Sequence, residues 1–172
     1  LAPMSGVTDA FFRRAASRFG APLVVTEMVA SREYLTGATE SRLRSERTDE
    51  KPHVVQIAGC APGIMAEAAR LAEASGADII DLNMGCPARK VTGGQAGSAL
   101  MRDPDTALAI VSQVVAAVGV PVTLKMRLGW DAQSLSAPDL ADEAVRRGIN
   151  LVTVHGRTRC DFYDGTANWA EI

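Results

Sequence analysis

Six apolar runs, five of them rich in β-branched residues, recur along this chain with a helix-like or loop segment after each, and no two of them are joined by a two-residue hairpin turn. The runs are 1–4, 23–28, 52–59, 78–82, 120–127 and 151–156. Between them the pattern predicts helices over 10–19, 31–35 (a short one), 62–75, 105–117 and 139–147. Thr8 or Asp9 caps the first helix and Gly20 ends it, while Gly76 ends the helix that starts at Pro62. Strand-then-helix alternation of this kind implies parallel strands joined by right-handed crossovers. Spread over six units, the 172 residues give about 29 per unit, near the roughly 31 of a ~250-residue eight-unit barrel. The predicted fold class is therefore α/β, a (β/α)8 TIM barrel carried here as roughly its first six units. A doubly wound sheet would place G-x-G-x-x-G after the first strand, and that motif does not stand there. Leu1 opens inside a predicted strand and Ile172 closes at a predicted helix start, so residues 1–172 are expected to be the N-terminal part of a larger barrel domain.

Composition narrows the function classes. A hydrophobic content of 47% supports one sizeable core. The three cysteines (Cys60, Cys86, Cys160) form no CxxC pair and have no histidine cluster beside them, so neither a disulfide framework nor a zinc or other metal site is expected. A reducing, cytoplasmic setting fits that usage. No apolar run reaches the roughly 18 residues of a membrane span, and no membrane partner is expected. The net charge of −2 gives no global basic field, so nucleic-acid binding would require a local patch or a further segment. The charged stretch 40–51 reads as a solvated face.

The chemistry concentrates after the fourth strand. Asp78-Ile-Ile-Asp-Leu82 breaks abruptly into Asn83-Met-Gly-Cys-Pro87, placing a thiol just past a strand's carboxyl end, where parallel α/β folds bind ligands. Free cysteine is more often a small buried hydrophobe. Here Asn83 precedes Cys86, Pro87 fixes the backbone after it, and Arg89, Lys90, Gly93, Gly94 and Gly97 follow. Apolar filler rarely has such neighbours. The glycine run lacks the lysine-serine/threonine ending of a P-loop and reads as a tight turn.

Met4, Glu27, Gln56, Asn83, Lys125 and His155 also fall at or near carboxyl ends of predicted strands. Each has a purely structural alternative. Gln56 could bond a neighbouring backbone, Lys125 could pair with Glu27 or Asp81, and His155 could be a satisfied core histidine. Polar groups left unsatisfied inside strands cost on the order of 1 to 3 kcal/mol each, so as a set they point to a shared ligand at one barrel mouth. A flavin would suit the set, since an amide can read its ring edge and a lysine can stabilise charge near the reduced ring.

Taken together, Ala2-Pro-Met-Ser-Gly-Val-Thr-Asp9, Val55-Gln-Ile-Ala-Gly59, Asp81-Leu-Asn-Met-Gly-Cys-Pro87, Lys125-Met-Arg127, Val154-His-Gly-Arg-Thr-Arg159, Phe162-Tyr163 and Trp169 resemble the tRNA-dihydrouridine synthases, within them the bacterial group once labelled nitrogen-regulation proteins. The resemblance implies an FMN enzyme, reduced by NADPH, that converts uridine in tRNA to dihydrouridine. Hydride would pass from reduced flavin N5 to C6 of the uracil, and Cys86 would protonate C5 as a general acid. Thiols ordinarily hold their proton at neutral pH, as that role requires. By the same resemblance Pro3, Met4, Ser5, Gln56, Lys125 and His155 are flavin contacts, Asn83 is a uracil contact, and Lys90 and Arg157 are substrate-side residues. It also implies two further barrel units and a C-terminal helical tRNA-binding domain beyond this chain. Asp161 stands where close relatives are expected to have glutamine. The competing readings are an FMN-dependent dehydrogenase of a free pyrimidine, of the dihydroorotate or dihydropyrimidine kind, and a non-catalytic RNA-binding or regulatory protein. Oligomeric state is not encoded in these patterns.

Overall fold

The computed structural model describes residues 1–49 and 51–172. Five parallel strands form one sheet in sequential order, β1 (Val29–Ala30), β2 (Val54–Ala58), β3 (Ile79–Met84), β4 (Val122–Arg127) and β5 (Leu151–His155). The helices are α1 (Ala10–Arg18), α2 (Ser31–Leu35), α3 (Thr39–Arg44), α4 (Pro62–Ala74), α5 (Arg89–Thr92), α6 (Pro104–Val115) and α7 (Ala137–Arg146). Sequential parallel order with a helix in each crossover after β2, β3 and β4 is the arrangement of a barrel wall.

Two of the six predicted strands are corrected. Residues 1–4 are not a strand: Pro3 has no N–H to donate, and the segment turns at once, with Val7 N and Thr8 N both donating to the Met4 carbonyl at 3.0 Å. Their link to the next segment is the terminal ammonium bonded to the Leu23 carbonyl. The second run pairs at Val25↔Val54 as a single bridge and forms its two-residue ladder only at Val29–Ala30. The interruption has a local cause. Gln56 N donates to the Thr26 hydroxyl at 3.0 Å instead of to a backbone carbonyl. The sheet therefore holds five strands where six were expected. The strand predicted to end at Leu82 runs on to Met84. In the stretch expected to be solvated, α3 forms and Ser41 and Thr48 are buried; Glu50 lies outside the described residues.

Strand alternation sorts the side chains. Val55, Ile57, Ile80, Leu82, Leu124 and Met126 face the helices and are buried in one core cluster with α4, α6 and α7. Small residues on α4 (Ala68, Ala69, Ala72, all 0% exposed) let that helix lie close to the sheet. The opposite face carries Gln56, Asp81, Asn83, Thr123, Lys125, Arg127 and His155. Pairing register stacks these in layers: Gln56↔Asp81↔Thr123, then Asn83↔Lys125, then Arg127↔His155. Leu124, at 0% exposure in the centre of the core face, should lose about 3 kcal/mol on replacement by alanine, measured by equilibrium urea denaturation. A loss under about 1 kcal/mol would contradict this packing.

Candidate active site

The polar layers are joined by hydrogen bonds across strands. Asp81 is 6% exposed; its Oδ2 accepts from Gln56 Nε2 at 2.6 Å and its Oδ1 from the Thr123 hydroxyl. Gln56 Oε1 accepts from Asn83 Nδ2 at 2.8 Å. Asn83 Oδ1 in turn accepts from Gly85 N at 3.2 Å and Cys86 N at 3.0 Å, closing an Asx turn at the end of β3. The Cys86 carbonyl is fixed from the other side by Ser98, through its backbone N at 3.0 Å and its hydroxyl at 2.9 Å. Gly97 makes that approach possible: it sits at φ +60, and a Cβ there would come within 2.7 Å of the Cys86 carbonyl oxygen. The Cys86 backbone is thus held at both its N–H and its C=O, while its side chain remains part-exposed.

Arg127 ties this loop to the one after β5. It is 2% exposed, and its Nε donates to the Gly85 carbonyl at 2.9 Å. One terminal nitrogen donates to the carbonyls of Thr158 (2.8 Å) and Phe162 (2.7 Å), and the guanidinium lies 5.5 Å from the Tyr163 ring centroid. Phe162 is held at φ +53, a left-handed conformation that disfavours an L side chain by roughly 1–2 kcal/mol. Asp161 closes the same loop, its Oδ2 accepting from Thr158 N at 2.7 Å.

Electrostatics follow from burial. Desolvation raises the Asp81 carboxyl above the ordinary carboxylate range, against its bonds from Thr123 and Gln56 and the field of Lys125. Desolvation lowers Lys125, which Asp81 partly offsets and Arg127 reinforces. Among the described residues Lys125 has no hydrogen-bond or ion-pair partner; Glu27, a possible partner in the sequence, accepts instead from Gly6 N and holds the 4–6 turn in place. His155 drops to about 4, through burial first and then Arg127, Lys125 and Arg157. The guanidinium of Arg157 can only donate, so His155 Nε2, 3.3 Å from Arg157 Nη1, accepts and the ring carries its proton on Nδ1. A neutral imidazole thus sits among three cations.

The expected site residues fall into four groups. Gln56, Asn83, Cys86, Lys125 and His155 share the inner face or its rim, as above. Pro3, Met4 and Ser5 form the turn held by Glu27, and Met4 N donates to the Thr8 hydroxyl at 3.0 Å. Lys90, on α5, lines a neighbouring cleft of about 560 Å³ together with Ser5, Arg32 and Cys60. Arg157 also donates to the carbonyls of Asp164 (3.0 Å) and Gly165 (2.6 Å), so its guanidinium is spent largely on the loop after β5. Sequence reasoning offered Asp81 only as a possible partner of Lys125 and gave no role to Ser98 or Arg127. The Thr123-x-Lys125-x-Arg127 alternation could have marked Arg127, being period-two polarity on a buried strand; Ser98 has no such mark. Among the described residues no group of three or more metal-ligating side chains occurs, and no helix is long and apolar enough to cross a membrane.

The family model described as dihydrouridine synthase (Dus) matches residues 1–172. The chain belongs to the dihydrouridine synthase family. It is 61% identical over 172 residues to a Rhizobium leguminosarum bv. phaseoli protein named "Probable tRNA-dihydrouridine synthase", covering all of this chain and 54% of that protein. A Rickettsia bellii protein of the same name is 56% identical over 174 residues, with 100% and 53% covered. The "tRNA-dihydrouridine synthase B" of Pseudomonas aeruginosa is 50% identical over 173 residues, with 100% and 52% covered. The chain spans about half the length of these curated relatives. Family membership agrees with the barrel-wall topology and with the resemblance seen in the D-x-N-x-G-C-P element.

His155 supplies a direct test of the site's electrostatics. In the ligand-free protein its ring signals, followed by NMR, should titrate near 4 and not near the ordinary value of about 6.5. Because the native value lies below the unfolded one, this group's contribution to stability is present above about pH 6.5 and is lost as pH falls through about 4. A midpoint near the ordinary value would contradict the cationic surroundings.

Proposed function

We propose that the protein containing this chain reduces uridine in tRNA to 5,6-dihydrouridine, with FMN as resident cofactor, NADPH as reductant and Cys86 as the proton donor. The observation that carries the reading is the Cys86 loop: a thiol whose backbone is clamped by Asn83 and Ser98 on the rim of a cationic inner face. The names of the relatives support the reaction class.

The chain's own residues fit a flavin. Lys125 carries a half-buried ammonium without a hydrogen-bond partner among the described residues, a state that an electron-rich ring edge or a developing anion would relieve. His155 is neutral and keeps one N–H to donate. Gln56 and Asn83 each retain a second amide N–H beyond those used within the chain. Pro3, Met4 and Ser5 bring backbone groups on a turn fixed by Glu27. We assign Pro3, Met4, Ser5, Gln56, Lys125 and His155 to the cofactor, and Asn83, Lys90 and Arg157 to the substrate. When bound, the flavin supplies the hydride for C6 of the uracil.

Cys86 then delivers the matching proton: its S–H bond breaks as a C–H bond forms at C5, saturating the C5–C6 double bond. The thiolate left behind lies in the field of Arg127, whose Nε is bonded to the adjacent Gly85 carbonyl. Reprotonation of Cys86 from solvent restores the starting state. Lys90, unpaired among the described residues, offers a cation to an RNA phosphate beside the thiol loop.

Replacing Cys86 by alanine in the full-length protein should leave flavin content and NADPH oxidation near wild type while lowering dihydrouridine formation by at least about 100-fold, the scale of a lost general acid. Product would be counted by mass spectrometry of digested tRNA. Wild-type yield from that variant would remove Cys86 from the reaction. Turnover of free uracil or orotate without turnover of tRNA would favour the free-pyrimidine dehydrogenase.

A further inference from the structure

We propose that Asp81 is a positioning residue for Cys86, setting the sense of two buried amides in series and through them the turn that carries the thiol. The inference rests on the role given to Cys86 above. Both oxygens of Asp81 act as acceptors, one from the Thr123 hydroxyl and one from Gln56, which is obliged to present Nε2 at 2.6 Å. Gln56 then has only Oε1 to offer Asn83, which must answer with Nδ2 at 2.8 Å. Asn83 is left with Oδ1 towards the turn, where two N–H donors, Gly85 and Cys86, require an acceptor. Were Asn83 reversed, its NH2 group would face those donors and the turn would lose both bonds. Polarity thus passes from Asp81 through Gln56 and Asn83 to Cys86 N, with no freedom at any link.

The placement argues that Asp81 acts through others. It lies in the register layer beneath Asn83 and Lys125, and both of its oxygens are taken, by Gln56 and Thr123. Burying a carboxylate there adds little stability by itself, since replacing a buried charge with well-packed neutral groups is often neutral or better. A neutral amide at position 81 could make as many hydrogen bonds, but in either sense. What only the carboxylate supplies is direction.

The test reverses that direction. Asp81→Asn lets position 81 donate to Gln56, permitting both amides to flip and releasing the turn. Adding Asn83→Asp makes the reversed chain complete: Asn at 81 donates to Gln56 Oε1, Gln56 Nε2 donates to the new carboxylate, and that carboxylate still accepts from Gly85 and Cys86. The readout is the plateau, at pH above the thiol's titration, of Cys86 alkylation by iodoacetamide, resolved from Cys60 and Cys160 by peptide mass spectrometry. Working on the plateau removes the effect of the new charge on thiol ionisation. Asp81→Asn should change the plateau about fivefold, and the double variant should return it to within about twofold of wild type. An unchanged plateau in the single variant, or a double variant no closer to wild type than the single, would overturn the proposal. If Asp81→Asn does not fold, a double variant that folds with a wild-type plateau supports it, and one that also fails to fold overturns it. Alkylation requires neither flavin reduction nor tRNA, so this outcome stands apart from product formation by Cys86→Ala.

Discussion

A carboxylate, an ammonium and a guanidinium share the inner face of two adjacent strands, and the site depends on how differently each is compensated. Asp81 is satisfied by two neutral donors from the neighbouring strands. Arg127 is satisfied by three backbone carbonyls, and in being so it fastens the loop after β3 to the loop after β5. Lys125 has the field of Asp81 and no hydrogen bond among the described residues. An arrangement that engages Asp81 and Arg127 within the chain and leaves the half-buried Lys125 toward the mouth is suited to receiving a ligand there.

The surrounding scaffold makes that face rigid. Helices packed on the opposite face bury alternate residues of β2, β3 and β4 almost completely. Because alternation on a strand is strict, a shift of one residue in register would put Lys125 and Arg127 into the helix interface and Leu124 and Met126 at the mouth. The apolar core therefore fixes the height of every polar layer. Gly97 and Ser98 extend this control to the loop: without a side chain at 97, Ser98 can reach the Cys86 carbonyl.

Much of this was legible in the sequence where pattern and physics agree. The long strands β2, β3, β4 and β5 and the helices α4, α6 and α7 show strong periodicity, and their packing follows it. Cys86 was identifiable because Asn83 and Pro87 flank it at a strand end. The first two predicted strands were not, because their pairing hangs on particulars: Pro3 lacks a donor, and the Thr26 hydroxyl replaces a carbonyl in the ladder. Arg127 was visible only as a member of a motif, and Asp81 as that and as a possible partner of Lys125. Their roles come from register and from backbone carbonyls contributed by segments 31 to 35 residues away, which no local pattern encodes. Arg157 is placed on the substrate side by the resemblance; that its guanidinium also donates to the carbonyls of residues 164 and 165 is not encoded in any local pattern.

The central claim is that this inner face and its cysteine loop belong to an enzyme that reduces uridine in tRNA. It is tested most directly by mapping dihydrouridine, position by position, in tRNA from cells lacking the gene and from the same cells carrying it. The account predicts that dihydrouridine disappears from at least one defined position on deletion and returns when the intact gene is restored. An identical dihydrouridine map in both would contradict it.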